Sequence, residues 1–180
     1  ETRTATGVHI LRLGTNPPEP DRAILWTNDH TQNEVFSLVQ PARLAGRIGG
    51  RRESGDVADL SLVAVEVPVQ YAVQDVRKFA ELAQPDHRDR LLEMLGERAL
   101  MRELSWRRID TVLSGERVAL AGDIAQNLAE TFANVPGGTD NQDAGVRLMH
   151  VGIAGVHPPK DAARMFERVV QARQVKEANI

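Results

Sequence analysis

The stretch that decides the fold runs from Val63 to Val73 and reads VAVEVPVQYAV. Its large apolar residues alternate without a break with smaller or polar ones, at Val63, Val65, Val67, Val69, Tyr71 and Val73. A period of two over this length predicts a long strand with one buried face. Pro68 has no amide hydrogen, so we expect an edge position or a bulge at that point.

The residues after this strand predict helices. Asp75 is placed to cap a short helix over Val76–Leu82. A longer helix over 86–104 and a short segment, Ile109–Leu113, come next, and 114–116 opens another helix. The predicted apolar stripes of the two longer helices are Leu91, Leu92, Leu95, Ala99 and Leu100 in the first, and Val118, Ala121, Ile124, Ala125, Leu128 and Phe132 in the second.

Strands are predicted on both sides of this helical region. Before it, Val8–Leu13 is apolar and β-branched, and Ala23–Thr27 and Glu34–Val39 flank a turn. A polar, glycine-rich stretch at 46–59 predicts an exposed loop. After the helices, a second long strand is predicted from Val146 to Ile153, with both faces partly apolar. The pattern thus predicts strands on both sides of a helical region.

The chain ends in a predicted helix that begins near Pro159. Its apolar residues repeat at three and four positions, the spacing of a coiled-coil seam, at Ala162, Met165, Val169 and Ala172. Lys176 and Asn179 then occupy the same seam. The first half suits docking on the protein's own sheet as well as it suits a seam. The second half has too little apolar surface for docking, which favours assembly with a partner.

The composition excludes several classes of function. The 180 residues include no cysteine, which excludes disulfides, thiolate metal sites and cysteine nucleophiles. The 22 basic and 25 acidic side chains give a formal net charge of −3, without the basic excess that nucleic acid binding needs. No apolar run approaches the roughly 20 residues of a membrane-spanning helix.

No arrangement of side chains predicts an enzyme, so no catalytic, cofactor or metal site is assigned. None of the five histidines lies within five residues of another, which excludes a local pair of metal ligands. We expect His150 to be partly buried and hydrogen-bonded on the second long strand. There is no G-x-S-x-G motif and no P-loop lysine. Asn28-Asp29-His30 is the most reactive-looking triplet, although these residue types are also typical of turns.

One charge-dense run admits two interpretations. It comprises Arg98, Arg102, Glu103, Arg107 and Arg108. Such a run attracts an anion or acidic lipid head groups if its arginines stay free. The interleaved acidic residue favours a solvated helix face instead.

A set of short motifs follows one order from residue 65 to the end of the chain. The first are Val65–Asp75, at the strand and helix entry, and Leu113–Arg117, at the opening of a helix. The later ones are Gly145-Val146, Val151-Gly152, Val156-His157-Pro158-Pro159, Phe166-Glu167 and Ala172-Arg173. In this order they resemble the SPFH or Band 7 superfamily of stomatin, prohibitin, flotillin and HflK, and specifically the HflK branch. The likeness covers about Asp59 to Ile180.

The resemblance implies a domain organisation and a role. It implies an α/β fold of the α+β type, with a mostly antiparallel sheet and with packed helices in a second subdomain. The implied parts are a β-rich first subdomain at 1–74, an α/β second subdomain at 75–157 and the start of a long coiled-coil helix at 158–180. It also implies a non-enzymatic membrane scaffold without a cofactor, which oligomerises with related HflC-like subunits at a lipid surface and modulates a membrane-bound AAA protease of the FtsH type. The implied location is the extracytoplasmic, periplasmic face of an inner membrane.

Several expectations accompany this resemblance. The chain opens at Glu1 and closes inside a predicted helix, so we expect a domain excised from a longer, membrane-anchored protein. The loop at 133–144 is longer than the usual link in the family. Two other functions stay open: a stomatin-like regulator of another membrane protease, and a small hydrolase that uses Asp29 and His30.

Overall fold

A computed structural model describes residues 7–15, 34–40, 61–113, 117–135, 142–164 and 167–168. Its strands are β1 (Val8–Gly14), β2 (Ser37–Val39), β3 (Ser61–Val73), β4 (Val146–Val151) and β5 (Gly155–His157). Its helices are α1 (Val76–Leu82), α2 (Arg88–Ser105), α3 (Ile109–Leu113) and α4 (Arg117–Ala133), and a 3₁₀ turn at Pro85–His87 precedes α2. The predicted strand at 23–27 and the predicted loop at 46–59 lie outside the described residues.

The long strand β3 organises the sheet, and the four strands that pair with it all run antiparallel to it. Its residues 66–72 pair with β1, and its first residues pair with β2. Its residues 64–66 pair with β5 and 69–73 pair with β4. Glu66 is in register with both Gly14 and Gly155, so β3 has a neighbouring strand on each side. This arrangement confirms the predicted α+β fold with a mostly antiparallel sheet.

The proline of β3 does not lie on a sheet edge. Pro68 is in register with Arg12 of β1, and its carbonyl accepts a hydrogen bond from the Gly152 amide at 3.1 Å. The predicted irregularity occurs two residues later, where the register against β4 shifts between Gln70 and Tyr71. A prolyl residue without an amide donor is therefore accommodated inside the sheet beside a bulge.

One face of β3 is buried along its length, as the alternation predicts. The buried positions include Val63, Val65, Val67, Val69 and Tyr71. Ala64 and Glu66 on the opposite face are buried as well. Glu66 forms an ion pair with Arg12 at 3.3 Å, and its backbone carbonyl accepts the Ala154 amide at 2.9 Å. The backbone that leads into β5 is thus bonded to β3 at Glu66.

The second predicted long strand is divided in two. β4 ends at Val151, and β5 begins at Gly155. The backbone between them stays bonded to β3, because the Gly152 amide donates to Pro68 and the Ala154 amide donates to Glu66. The residues 160–164 that follow β5 are helical.

The helices pack against the sheet and against each other. The predicted bounds of α1 and α3 are confirmed, and most of the predicted α2 stripe is buried. Gly96 allows α2 to approach β1 closely, since a Cβ at this position would lie 2.7 Å from a methyl carbon of Leu13. The predicted stripe of α4 is wrong at its start: Val118 is 89% exposed, whereas Leu120 is 5% exposed. The two positions are about 200° apart around the helix axis, and Leu120 lies in line with Ile124, Leu128 and Phe132.

Candidate functional surfaces

The junction between β3 and α1 is held by residues from two distant parts of the chain. Asp75 caps α1, because its side chain accepts the amides of Arg77 and Lys78 at 3.0 and 3.1 Å. The Gly145 carbonyl accepts the amides of Gln74 and Asp75 at 2.9 and 3.0 Å. The strand and helix entry that resembles the family motif is therefore fixed by the segment that leads into β4.

An ion pair reinforces this junction. Lys78 donates to the Asp143 carboxylate, which also accepts the Gly145 amide at 2.6 Å. The hydrogen bond from Lys78 is the main cause that lowers the pKa of Asp143, and the same bond raises the pKa of Lys78. Lys78 is solvent-exposed, so the pair serves mainly to orient the segment before β4.

A polar cleft of about 300 Å³ separates the end of α2 from α4. Arg107 donates to Glu103 at 2.6 and 3.0 Å and also pairs with Asp123. Asn127 donates to the other oxygen of Glu103 at 3.1 Å. The hydrogen bond that Arg107 donates to Glu103 is the main cause that raises the pKa of Arg107. These side chains pair with one another across the cleft, so their ion pairs and hydrogen bonds link the end of α2 to α4.

The charge-dense run of the sequence is therefore divided by the fold. Arg107 and Glu103 turn toward α4, and Arg108 pairs with Asp110. Arg98 and Arg102 remain on the exposed side of α2. For Arg98 and Arg102 both interpretations stay predictions, because exposure is compatible with an anion contact and with a solvated helix face.

Large exposed side chains follow one another in steps of four residues along α2 and at Trp106, just beyond its end, and this row turns about 160° around the helix axis. We name the α2 ridge as the following set: Arg90, Met94, Arg98, Arg102 and Trp106, with Met101 beside them. Met94 is 59% exposed, Met101 54% and Trp106 71%. Side chains four residues apart are neighbours on a helix surface. The sequence interpretation missed this ridge, although the four-residue spacing is visible in the sequence.

The histidines lie in separate places. The predicted partial burial of His150 is wrong: it pairs with Gln70 on the open face of the sheet and is exposed. His157 is buried, and its Nδ1 lies 3.1 Å from the Pro158 carbonyl. His9 stacks on Tyr71 with 5.2 Å between ring centroids. Within the described ranges, no group of three or more His, Asp or Glu side chains is arranged to hold a metal ion.

The predicted assembly seam and the predicted hydrolase pair are mostly outside the described ranges. Ala162 is half-buried and its neighbour Ala163 is fully buried. Met165, Val169 and Ala172 lie outside the described residues, as do Asp29 and His30. The structure therefore leaves both predictions untested.

The chain matches the family model of the SPFH domain / Band 7 family over residues 53–180. No curated protein matches the chain. Within the described parts of the chain, no helix combines the length and the apolar character needed to cross a bilayer. The family consists in general of membrane-associated scaffold proteins that are not enzymes. Because the match includes well over half of the chain, this protein belongs to the SPFH domain / Band 7 family.

Proposed function

We propose that this protein is a non-enzymatic scaffold subunit that assembles with related SPFH subunits at a membrane and modulates a membrane-bound AAA protease of the FtsH type. The observation that carries the proposal is the family match, which continues to residue 180 and so includes the predicted assembly helix. The finer assignment to an HflK-like branch rests on the ordered motifs between Val65 and Arg173.

The start of the last helix supports the proposed assembly. The Pro159 carbonyl accepts the amides of Ala162 and Ala163 at 2.9 and 3.0 Å, so the helix begins directly after the two prolines. Ala163 anchors this first turn, since it is fully buried. Ala162 is only half-buried, so the predicted seam starts on a surface that a second subunit can still contact.

In this proposal the domain lies at the lipid surface on the extracytoplasmic, periplasmic side of an inner membrane. Its subunit partners are further copies or HflC-like relatives. The membrane association that is general in the family supports the location at a bilayer. The choice of membrane face and of partner rests on the HflK-like motifs.

Light scattering of the full-length protein in detergent tests the assembly. We expect a large particle, and we expect Met165→Glu combined with Val169→Glu to reduce its mass because charges enter the apolar seam. The matched control is Arg164→Gln with Arg168→Gln, which changes the net charge equally at exposed positions of the same helix. A strict monomer of the unsubstituted protein contradicts the proposal.

Affinity purification from membranes tests the protease partner. We expect an FtsH-type protease to copurify with the unsubstituted protein and to be depleted with the seam variant. Recovery of a different membrane protease in its place supports the stomatin-like alternative. Recovery of no protease contradicts the proposed modulation while leaving the assembly measurement valid.

A further inference from the structure

The helices α2 and α4 lie side by side on the sheet and run in opposite directions. α2 packs on β1 and β2, and α4 packs on β4. Glu103 of α2 accepts a hydrogen bond from Asn127 of α4, and Arg107, just after α2, pairs with Asp123 of α4. The residue number therefore rises by four along α4 as it falls by four along α2. The two helices share one outer surface, which faces away from the sheet.

The part of this outer surface that α2 contributes is basic. Arg98 and Arg102 are exposed and lie about 40° apart around the helix axis. Their mean direction is about 160° from that of Gly96 and Leu100, which approach β1. Both arginines are therefore directed away from the sheet. Neither forms an ion pair with a residue of the described ranges.

The part that α4 contributes is acidic. Glu130 is exposed and lies about 160° around the helix axis from the fully buried Leu128. Its carboxylate accepts a hydrogen bond from Gln126 at 3.1 Å. Asp123, which is also exposed, lies seven residues earlier and within about 20° of the same direction. By the antiparallel alignment of the two helices, Glu130 is level with residue 100, midway between the two arginines of α2.

This charge pattern is complementary to itself. A two-fold axis that runs parallel to the helices, above the groove between them, places α2 of one copy on α4 of the other. The axis keeps every residue at its own level, so Arg98 and Arg102 of each copy flank Glu130 of the other. A two-fold axis perpendicular to the helices places α2 on α2 instead, where like charges oppose the contact. The charges thus select a second copy of this chain in one orientation.

An exposed aromatic ring lies beside these charges. Trp106 is 71% exposed and lies about 40° around the helix axis from Arg102. Tryptophan and arginine are enriched among the residues that contribute most to binding at protein interfaces. Two adjacent helices offer a face of about 500 Å² per copy, which is at the lower limit for a specific interface. We therefore expect a dimer whose population depends on concentration.

We propose that the outer surface of α2 and α4 binds a second copy of this chain in a two-fold dimer, with Arg98 and Arg102 of each copy against Glu130 of the other. This contact goes beyond the assembly proposed above, whose predicted seam is on the last helix, and it does not need that seam. The sheet side of both helices stays packed within each copy.

Sedimentation velocity of the 180-residue chain over a range of micromolar concentrations tests the proposal. Every protein in the experiment carries the seam substitutions Met165→Glu and Val169→Glu, so that the seam does not contribute. We expect this parent to dimerise. Arg98→Glu with Arg102→Glu, and separately Glu130→Arg, should each weaken self-association by more than about tenfold, because like charges then meet at both contacts. An equimolar mixture of these two variants should dimerise again, because opposite charges meet at both contacts of the mixed dimer.

The recovery in the mixture requires both variants to be folded, so loss of fold cannot account for it. The matched control is Arg147→Glu with Arg164→Glu, which makes the same change of net charge at exposed positions of β4 and the last helix. It should keep the association constant within about twofold of the parent. A monomeric parent, dimerisation of either charge variant alone, a mixture that stays monomeric, or an equal loss in the control overturns the proposal. None of these outcomes changes the light-scattering test of the seam, so the two proposals fail independently.

Discussion

At the scale of the residue, Gly145 has a backbone conformation that other residues rarely adopt. Its φ is 67°, and a Cβ there would lie 2.4 Å from the Asp75 carbonyl oxygen and 2.7 Å from the Phe79 amide nitrogen. Both contacts are to backbone atoms of the junction between β3 and α1, so neither can move away without disturbing that junction. Glycine is required here by conformation and by space together.

We expect Gly145→Ala to lower the free energy of unfolding by about 3 kcal/mol, from backbone strain and the clash with the junction. The matched control is Gly122→Ala on α4, where a Cβ would meet nothing within 4 Å. There alanine should raise stability by about 0.5 to 1 kcal/mol, because it favours the helix. Urea denaturation measures both variants, and equal midpoints for the two would contradict this account of Gly145.

At the scale of the element, α4 shows how a helix selects its buried face. Leu120, Ile124, Leu128 and Phe132 are buried and follow one another at four-residue intervals. Val118 fits a looser apolar pattern in the sequence but projects into solvent. Burial on α4 is therefore decided by the contact with α2 and the sheet, and not by apolar character alone.

The pair Leu120→Ala and Val118→Ala tests this assignment within one helix. We expect Leu120→Ala to cost about 2 to 4 kcal/mol, because it removes buried methyl groups and leaves a cavity. Val118→Ala should change stability by less than about 0.5 kcal/mol, since its side chain is exposed and alanine favours helix. Chemical denaturation gives both values, and a larger loss at Val118 than at Leu120 would reverse the proposed orientation of α4.

The helix boundaries were largely predictable from local patterns. The cap at Asp75 and the bounds of α1 and α3 follow from interactions between residues a few positions apart. The division of the last strand into β4 and β5 was not predictable in this way. It depends on hydrogen bonds from Gly152 and Ala154 to β3, a strand some eighty residues earlier.

At the scale of the whole molecule, one carboxylate connects the helical layer to the sheet. Glu97 of α2 accepts the amide of Gly14 at the end of β1. Burial is the main cause that raises the pKa of Glu97 above its ordinary value of 4.5, while the bond from Gly14 acts in the opposite direction. The folded protein therefore holds the Glu97 proton more tightly than the unfolded chain does.

Because the pKa of Glu97 is raised in the folded protein, the free energy of unfolding depends on pH. The contribution of Glu97 is fully present below the unfolded pKa and is lost as the pH rises through the higher folded pKa. We expect the Glu97→Gln variant to become more stable relative to the parent as the pH rises through this range. The glutamine amide oxygen still accepts the hydrogen bond from the Gly14 amide but carries no charge. Unfolding measured from pH 4 to pH 7 checks this, with Glu130→Gln, at an exposed position, as control. Parallel curves for the parent and Glu97→Gln would contradict the prediction.

The candidate functional surfaces were only partly predictable from the sequence. The charged run around Arg102 is visible in the sequence, but the sequence does not show which of its arginines form ion pairs. Arg107 pairs with Asp123, sixteen residues later on another helix, whereas Arg98 and Arg102 form no side-chain ion pair within the described residues. His150 is exposed because its strand pairs with β3 across a bulge, and no local pattern reveals that register.

The sequence by itself determined the long strand β3, the capped start of α1, the α+β fold class and the motifs of the SPFH family. These features depend on side-chain periodicity and on contacts between near neighbours, which are written directly in the chain. Only the tertiary structure decided which face of α4 is buried and that Arg107 and Arg108, just after α2, form ion pairs. It also shows why residue 145 has to be glycine. Burial and ion pairing depend on residues brought together from distant positions, so they exist only once the helices have packed on the sheet.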